Sequence, residues 1–173
     1  MLTTEQSHYL LRLPKKVELK GKLQDQITFD QHFPFQEKYI LILPDNVDFT
    51  FLYEIYQSKK NQFKLTLYLM DGDTHIGLLR VDFSGQHENP HMLADTVPAI
   101  FHPFVGNFFN YNDHHIHYYV EGYKTTLDWA VPLTNDDFPV KQINGIDDVL
   151  LAFYEFNKII NLQTIFKINS LLI

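Results

Sequence analysis

Three stretches between Phe51 and Phe83 alternate large apolar residues with other residues at a period of two. Phe51, Tyr53 and Ile55 alternate with Leu52, Glu54 and Tyr56. Phe63, Leu65, Leu67 and Leu69 alternate with Lys64, Thr66, Tyr68 and Met70. Leu79, Val81 and Phe83 alternate with Leu78, Arg80 and Asp82. Successive side chains of a strand leave opposite faces, so the first-named set of each stretch belongs on one buried face. Asp71-Gly72-Asp73, between the last two stretches, has hairpin-turn composition. A chain with this centre folds around an antiparallel meander.

The flanks add helices and further strands. Leu2 to Leu13 reads as a short helix. Thr3 and Gln6 form a capping box, Tyr9, Leu10 and Leu13 form the apolar stripe, and Pro14 ends it. Gln26 to Asp30 is a weak strand. Tyr39 to Leu43 is a stronger one that stops at the turn Pro44-Asp45-Asn46. His114 to Glu121 and Leu127 to Val131 make a second hairpin around Gly122. Asn144 to Ile160 reads as the main helix. Asn144 is its N-cap, and Ile146, Val149, Leu150, Phe153, Phe156 and Ile160 share a face.

The expected fold class is therefore α+β. A largely antiparallel sheet of about five to seven strands carries a short N-terminal helix, with a longer C-terminal helix packed on one face. Leu79, Val81, Ile116, Tyr118, Phe153 and Phe156 are expected in the core. The length, 173 residues, suits a single domain over 1–173. The tail 162–173 is apolar apart from Lys167. Left free it would aggregate, so Ile165, Phe166, Ile168 and Leu171 are expected to be covered, by a docked strand or by a homodimer contact.

Charge and composition narrow the function classes. There are 21 acidic and 14 basic residues, and Arg12 and Arg80 are the only arginines. Between Arg80 and Lys124 there is neither Lys nor Arg. This does not favour direct nucleic-acid binding, which needs a basic face. It suits a solvated surface, or an acidic face for a basic protein partner. The absence of cysteine excludes disulfides, thiolate zinc sites and a cysteine nucleophile. Met1 to Lys20 has no apolar signal core, and no apolar run is long enough to span a bilayer, so a cytoplasmic protein away from membranes is expected. Gly85 and Gly106 are isolated rather than part of a phosphate loop. Asp71-Gly72-Asp73 lacks the remaining ligands of a calcium loop.

Six of the nine histidines lie between residues 87 and 117. On a strand, His115, His117, Tyr119 and Glu121 project from one face and Ile116, Tyr118 and Val120 from the other. Two imidazoles two residues apart can chelate a divalent ion or act as an acid and base pair. Glu121 would complete a set of two histidines and one carboxylate. At about 3.3 Å per residue it lies roughly 13 Å along the strand from His117, so it ranks last among the candidates. His87, just after the Leu79–Phe83 strand, reaches the same face if the two strands are neighbours. The competing reading is a plain solvated sheet face. The long stretch Ser84 to Asp113 carries Phe101, Phe104, Phe108, Phe109 and Tyr111, so its segment 96–113 either packs or forms a lid.

Four short patterns occur in order: Leu78-Leu79-Arg80-Val81-Asp82, His87-x-Asn89-Pro90, His115-x-His117-x-Tyr119-x-Glu121-Gly122-Tyr123 and Trp129-Ala130-x-Pro132-Leu133. In these the chain resembles a domain-of-unknown-function family of small bacterial and phage-associated proteins, over roughly Leu2 to Asn161. The family pattern has Arg before Glu-Gly where this chain has Val120, and a shorter connection between Pro90 and His114. The resemblance implies a shared site between the histidine-asparagine-proline element and the paired-histidine strand; it implies no reaction.

Two functions compete. The first is a metal-assisted hydrolase, of phosphodiester or related bonds. Its catalytic residues would be His87, His117 and Glu121, and its metal ligands His115 and His117. A divalent metal is the cofactor favoured, because an anionic transition state needs positive charge that the surrounding sequence does not supply. The second is a non-catalytic acidic binding or inhibitor protein of a mobile element or phage-defence system.

Overall fold

The capping box opens the first helix. In the computed structural model, which describes residues 2–29, 34–123 and 127–168, α1 spans Thr4–Arg12. Thr3 Oγ1 accepts the Gln6 N–H, and Gln6 Oε1 accepts the Thr3 N–H. The strands are β1 Lys16–Leu19, β2 Lys22–Gln24, β3 Gln26–Phe29, β4 Gln36–Leu43, β5 Asn46–Gln57, β6 Leu65–Asp71, β7 Gly77–Phe83, β8 His87–Glu88, β9 Phe108–Phe109, β10 His115–Tyr118, β11 Trp129–Pro132 and β12 Ile165–Ile168. The helix α2 is Ile146–Ile159. Among the described residues no helix is long and apolar enough to cross a membrane.

The main sheet is antiparallel throughout, in the order β11-β10-β7-β6-β5-β4-β1-β2. Its eight strands exceed the expected five to seven. The additions are β1 and β2, too short to show a period. Their two-residue turn, Lys20-Gly21, has both φ angles positive, which matches the twist of a tight hairpin. The expected strand Gln26 to Asp30 is β3; Asp30 lies outside the described residues.

The inner face of the sheet holds Leu41, Phe51, Tyr53, Leu67, Leu69, Leu79, Val81 and Ile116, all buried. Phe153 and Phe156 of α2 stack on Tyr53 at 6.4 and 5.5 Å between ring centroids. Several sequence expectations need correction. Tyr9 is 62% exposed, and Leu11 joins Leu10 on the buried side of α1 in its place. Tyr118 is only half-buried, because its hydroxyl reaches out to Asp136 Oδ2 at 2.8 Å. Phe63 is exposed, because Asn61–Lys64 is a turn and β6 starts at Leu65. Ile146 is exposed in the first turn of α2, whose N-cap is Gly145 rather than Asn144; the Asp148 carboxylate accepts the Asn144 N–H.

The tail docks as a strand. β12 pairs in parallel with β3, and Phe166 is buried against Tyr39 and Phe153. Ile165 is 62% exposed, contrary to expectation, because neighbouring strand residues face opposite ways. Leu171 and the Ile168 side chain lie outside the described residues. Nearby, the fully buried Lys15 donates from Nζ to the carbonyls of Leu10, Leu11, Leu13 and Ile160, at 2.7 to 3.0 Å. These are carbonyls at the C-terminal ends of α1 and α2, where a cation is favoured.

Candidate metal centre

Register lines up two polar rows across the outer face of the sheet. One runs Lys38, Glu54, Tyr68, Arg80, His117, Ala130 from β4 to β11. The other runs Gln36, Tyr56, Thr66, Asp82, His115, Pro132. Side chains directly opposite on paired strands share a face and touch. The pairing of β7 with β10 therefore delivers Asp82 and Arg80 to the two histidines.

The histidine end of these rows is not solvated. His115 is 1% and His117 2% exposed. The sequence expectation of a simple wet face fails because the connection from Ser84 to Asp113 folds over it. β8 pairs with β9, placing His87 opposite Phe109. The Phe109 ring lies 4.6 Å from that of His115, and the His87 ring 4.5 Å from that of His117 and 5.8 Å from that of His115. Phe101 instead packs on Trp129 and Tyr118. The aromatic stretch is thus divided between cover and core.

Asn89 pins this cover. Its Nδ2 donates to Ala130 O at 2.8 Å and to Phe104 O at 2.9 Å, and its Oδ1 accepts the Ala130 N–H at 2.9 Å. The side-chain amide thereby pairs with β11 as a neighbouring strand would. His87 Nε2 faces two acceptors, Asn89 Oδ1 at 3.0 Å and Asp128 O at 2.9 Å. It must carry the proton, which leaves Nδ1 as the lone-pair nitrogen of the neutral ring.

The same argument fixes the other two rings. His115 Nδ1 lies 2.7 Å from Asp113 O, and His117 Nδ1 lies 2.9 Å from Leu127 O. Carbonyl oxygens only accept, so both Nδ1 atoms donate and both Nε2 lone pairs point the other way. Leu127 holds φ at 67°, a strained value for a branched residue, and presents that carbonyl. Both Nε2 atoms face Asp82 Oδ2, at 3.8 Å for His115 and 3.3 Å for His117. Asp82 Oδ1 accepts from Thr66 Oγ1 at 2.6 Å and Arg80 Nη2 at 3.1 Å, and Arg80 Nε forms an ion pair with Oδ2 at 2.6 Å. His117 Nε2, Asp82 Oδ2 and Arg80 Nε are nevertheless buried with no hydrogen-bond partner of adequate geometry.

Burial tends to raise the Asp82 pKa, but the Arg80 guanidinium and the Thr66 hydroxyl outweigh it and hold the carboxyl well below the usual range. Burial pushes His115 and His87 down to about 4. At neutral pH Asp82 is thus ionised and His115 and His87 are neutral, the forms a cation binds.

Asp82, His115 and His117 offer ligand atoms all within 4.8 Å of one another. The two strand histidines are therefore together, with His87 stacked beside them. Glu121 is not in the group. β10 ends at Tyr118, and the Glu121 N–H donates to Thr4 Oγ1 while its carbonyl accepts from Thr96 Oγ1. Sequence reasoning missed Asp82. Its signal is present, since Asp82 sits on the outward phase of the strand that, as a neighbour of the histidine strand, would bring His87 and Arg80 to the site.

Beside Asp82 the outer face opens into a cavity of ≈ 490 Å³. Its walls include Tyr56, Lys64, Thr66, Arg80, Asp82 and Gly85. A family model described as a family of unknown function (DUF6978) matches residues 2–159. No curated protein and no solved structure matches the chain.

Proposed function

The chain belongs to the DUF6978 family, and from its geometry we propose a metal-assisted hydrolase, acting on phosphodiester or related bonds, with a divalent cation held by Asp82, His115 and His117. One observation carries the reading: three acceptor atoms converge in a buried pocket, and two of them, His117 Nε2 and Asp82 Oδ2, have no hydrogen-bond partner. Lone pairs facing one another repel unless a proton or a cation stands between them. The Nδ1–H···O=C bonds of both histidines match the outer contacts that orient metal-ligating imidazoles.

Three protein ligands suit a catalytic ion, which keeps a position for water or substrate. When bound, such an ion activates water and offsets negative charge in the transition state. Thr66 and Arg80 hold the Asp82 carboxylate with Oδ2 toward the histidines. His87, with Nδ1 free of its proton, orients the substrate or accepts a proton beside the centre. Phe109 and the β8–β9 cover exclude bulk water from the histidines.

Hydrolysis of bis(p-nitrophenyl) phosphate, followed with and without a chelator, tests the reading. Chelation should abolish turnover, manganese or zinc should restore it, and Asp82→Asn should lack it in either state. Turnover that ignores the chelator contradicts the proposal. A protein that binds the ion but hydrolyses no ester is a binding module with a structural metal.

A further inference from the structure

We propose that the cavity beside Asp82 is the substrate site of this centre and takes a phosphate ester with a planar leaving group. The inference rests on the metal-centre reading and extends it to the outer face of β5, β6 and β7. Four charged groups line the cavity. Glu54 is paired with Lys38 at 2.6 Å, and Asp82 is paired with Arg80. The cationic groups are less fully spent. The Arg80 side chain is 42% exposed, and its contacts with Asp82 use Nε and Nη2, leaving its remaining N–H groups to bind a second oxyanion. Lys64 Nζ lies over the Tyr111 ring at 5.3 Å, with no carboxylate in its ion-pair range among the described residues. An oxyanion is thus the complement of this wall, and Tyr56, 45% exposed, offers a flat surface to a ring.

Gly85 makes the connection to the metal ligands. A Cβ placed there would meet Asp82 Cβ at 3.8 Å, Asp82 Cγ at 3.9 Å and His115 Cε1 at 4.0 Å. The bare Cα therefore borders the cavity and two of the three ligands at once, and keeps open the route between them. Gly85 is not at positive φ, so the backbone itself does not demand glycine. Gly85→Val would place two methyl groups in that route, and Gly85→Ala only a Cβ at ordinary contact distance.

Calorimetric titration of phenyl phosphate into chelator-treated and zinc-loaded protein tests this. Saturable binding should be seen in both states, tighter with zinc. Lys64→Ala should weaken it by about tenfold or more in both states. Gly85→Val should remove the gain conferred by zinc while the protein still takes up zinc and melts at the wild-type temperature. A second, smaller variant, Gly85→Ala, should lose part of that gain. Absence of saturable phenyl phosphate binding in both states, or equal binding by wild type, Lys64→Ala and Gly85→Val, overturns the inference. Zinc uptake without phenyl phosphate binding removes this inference alone. Lys64-dependent binding without zinc uptake removes the metal reading and leaves the cavity as an anion site.

Discussion

His117 Nε2 stands 3.3 Å from Asp82 Oδ2, and neither atom has a hydrogen-bond partner. In most buried imidazole–carboxylate pairs the imidazole donates to the carboxylate. Here the Leu127 carbonyl has claimed the proton on Nδ1, so a neutral His117 meets Asp82 with a lone pair. Arg80 Nε already sets positive charge 2.6 Å from Oδ2; the His117 lone pair lacks a proton or a metal ion, and His115 Nε2 at 3.8 Å from the same oxygen gives the three atoms the spacing of a metal-ligand set.

Asp82→Asn changes both stability and metal binding. An amide at this position can donate to His117 Nε2, but the same NH2 faces Arg80 Nε and ends its ion pair with Oδ2, so the metal-free variant should be less stable than the wild-type protein. Its affinity for zinc should fall by about a hundredfold, since an outer contact alone is worth 10–100-fold and this is a ligand. Thermal melts and zinc titrations on both proteins check the two halves. An unchanged affinity would place the ion elsewhere.

Asn89→Ala tests the clamp on β11. It leaves the Ala130 N–H and the Ala130 carbonyl without their partner; the Phe104 carbonyl keeps the Asn107 N–H, and His87 Nε2 keeps the Asp128 carbonyl. At roughly 1–3 kcal/mol for each buried group left unsatisfied, the loss should be about 2 kcal/mol or more by urea unfolding. Zinc affinity should also drop although Asn89 touches no ligand atom, because the cover over His115 and His117 loosens. A variant with wild-type stability would show that the clamp carries nothing.

Phe166 and Ile165 give a paired test of how the tail docks. Phe166→Ala should cost about 3–5 kcal/mol, as for a buried aromatic. Ile165→Ala should stay within about 0.5 kcal/mol, as for an exposed site. Equal effects from the two would mean that β12 does not sit on β3 as described.

Much of this architecture is legible in the sequence. The period-two alternation of Phe51–Ile55, Leu65–Leu69 and Leu79–Phe83 locates the inner face, and Thr3 with Gln6 locates the first helix. The site is less legible, because its members meet only through long-range pairing. Asp82 and His115 are register partners across a connection of some thirty residues, and nothing local in either strand states that β7 and β10 are neighbours. Burial of the histidines is set by Asn89 and Phe109, which belong to neither strand. Glu121 shares the alternation of His115 and His117 on paper, but the strand ends at Tyr118 and the chain turns toward α1.

Lys15 predicts a pH dependence. Burial pushes its ammonium down to about 7 from an ordinary value near 10.5. The folded pKa is depressed, so the unfolded chain binds more protons between these values. Stability therefore rises as pH climbs from 7 to 10.5 and is lost as pH falls back through 7. The slope has an upper bound of about 1.4 kcal/mol per pH unit. The four carbonyls around Nζ favour the charged form and reduce the slope. Lys15→Met should be less stable throughout, and its deficit relative to wild type should widen from pH 7 to pH 9 in urea unfolding. A deficit that shrinks with pH would reverse the assignment.

The central claim is tested most directly by calorimetric titration of zinc, manganese and nickel into chelator-treated protein, beside the His115→Ala, His117→Ala double variant. The account predicts saturable uptake of one ion per chain by the wild-type protein, and no saturable uptake by a double variant that remains folded. Equal uptake by both proteins, or uptake by neither, would contradict it.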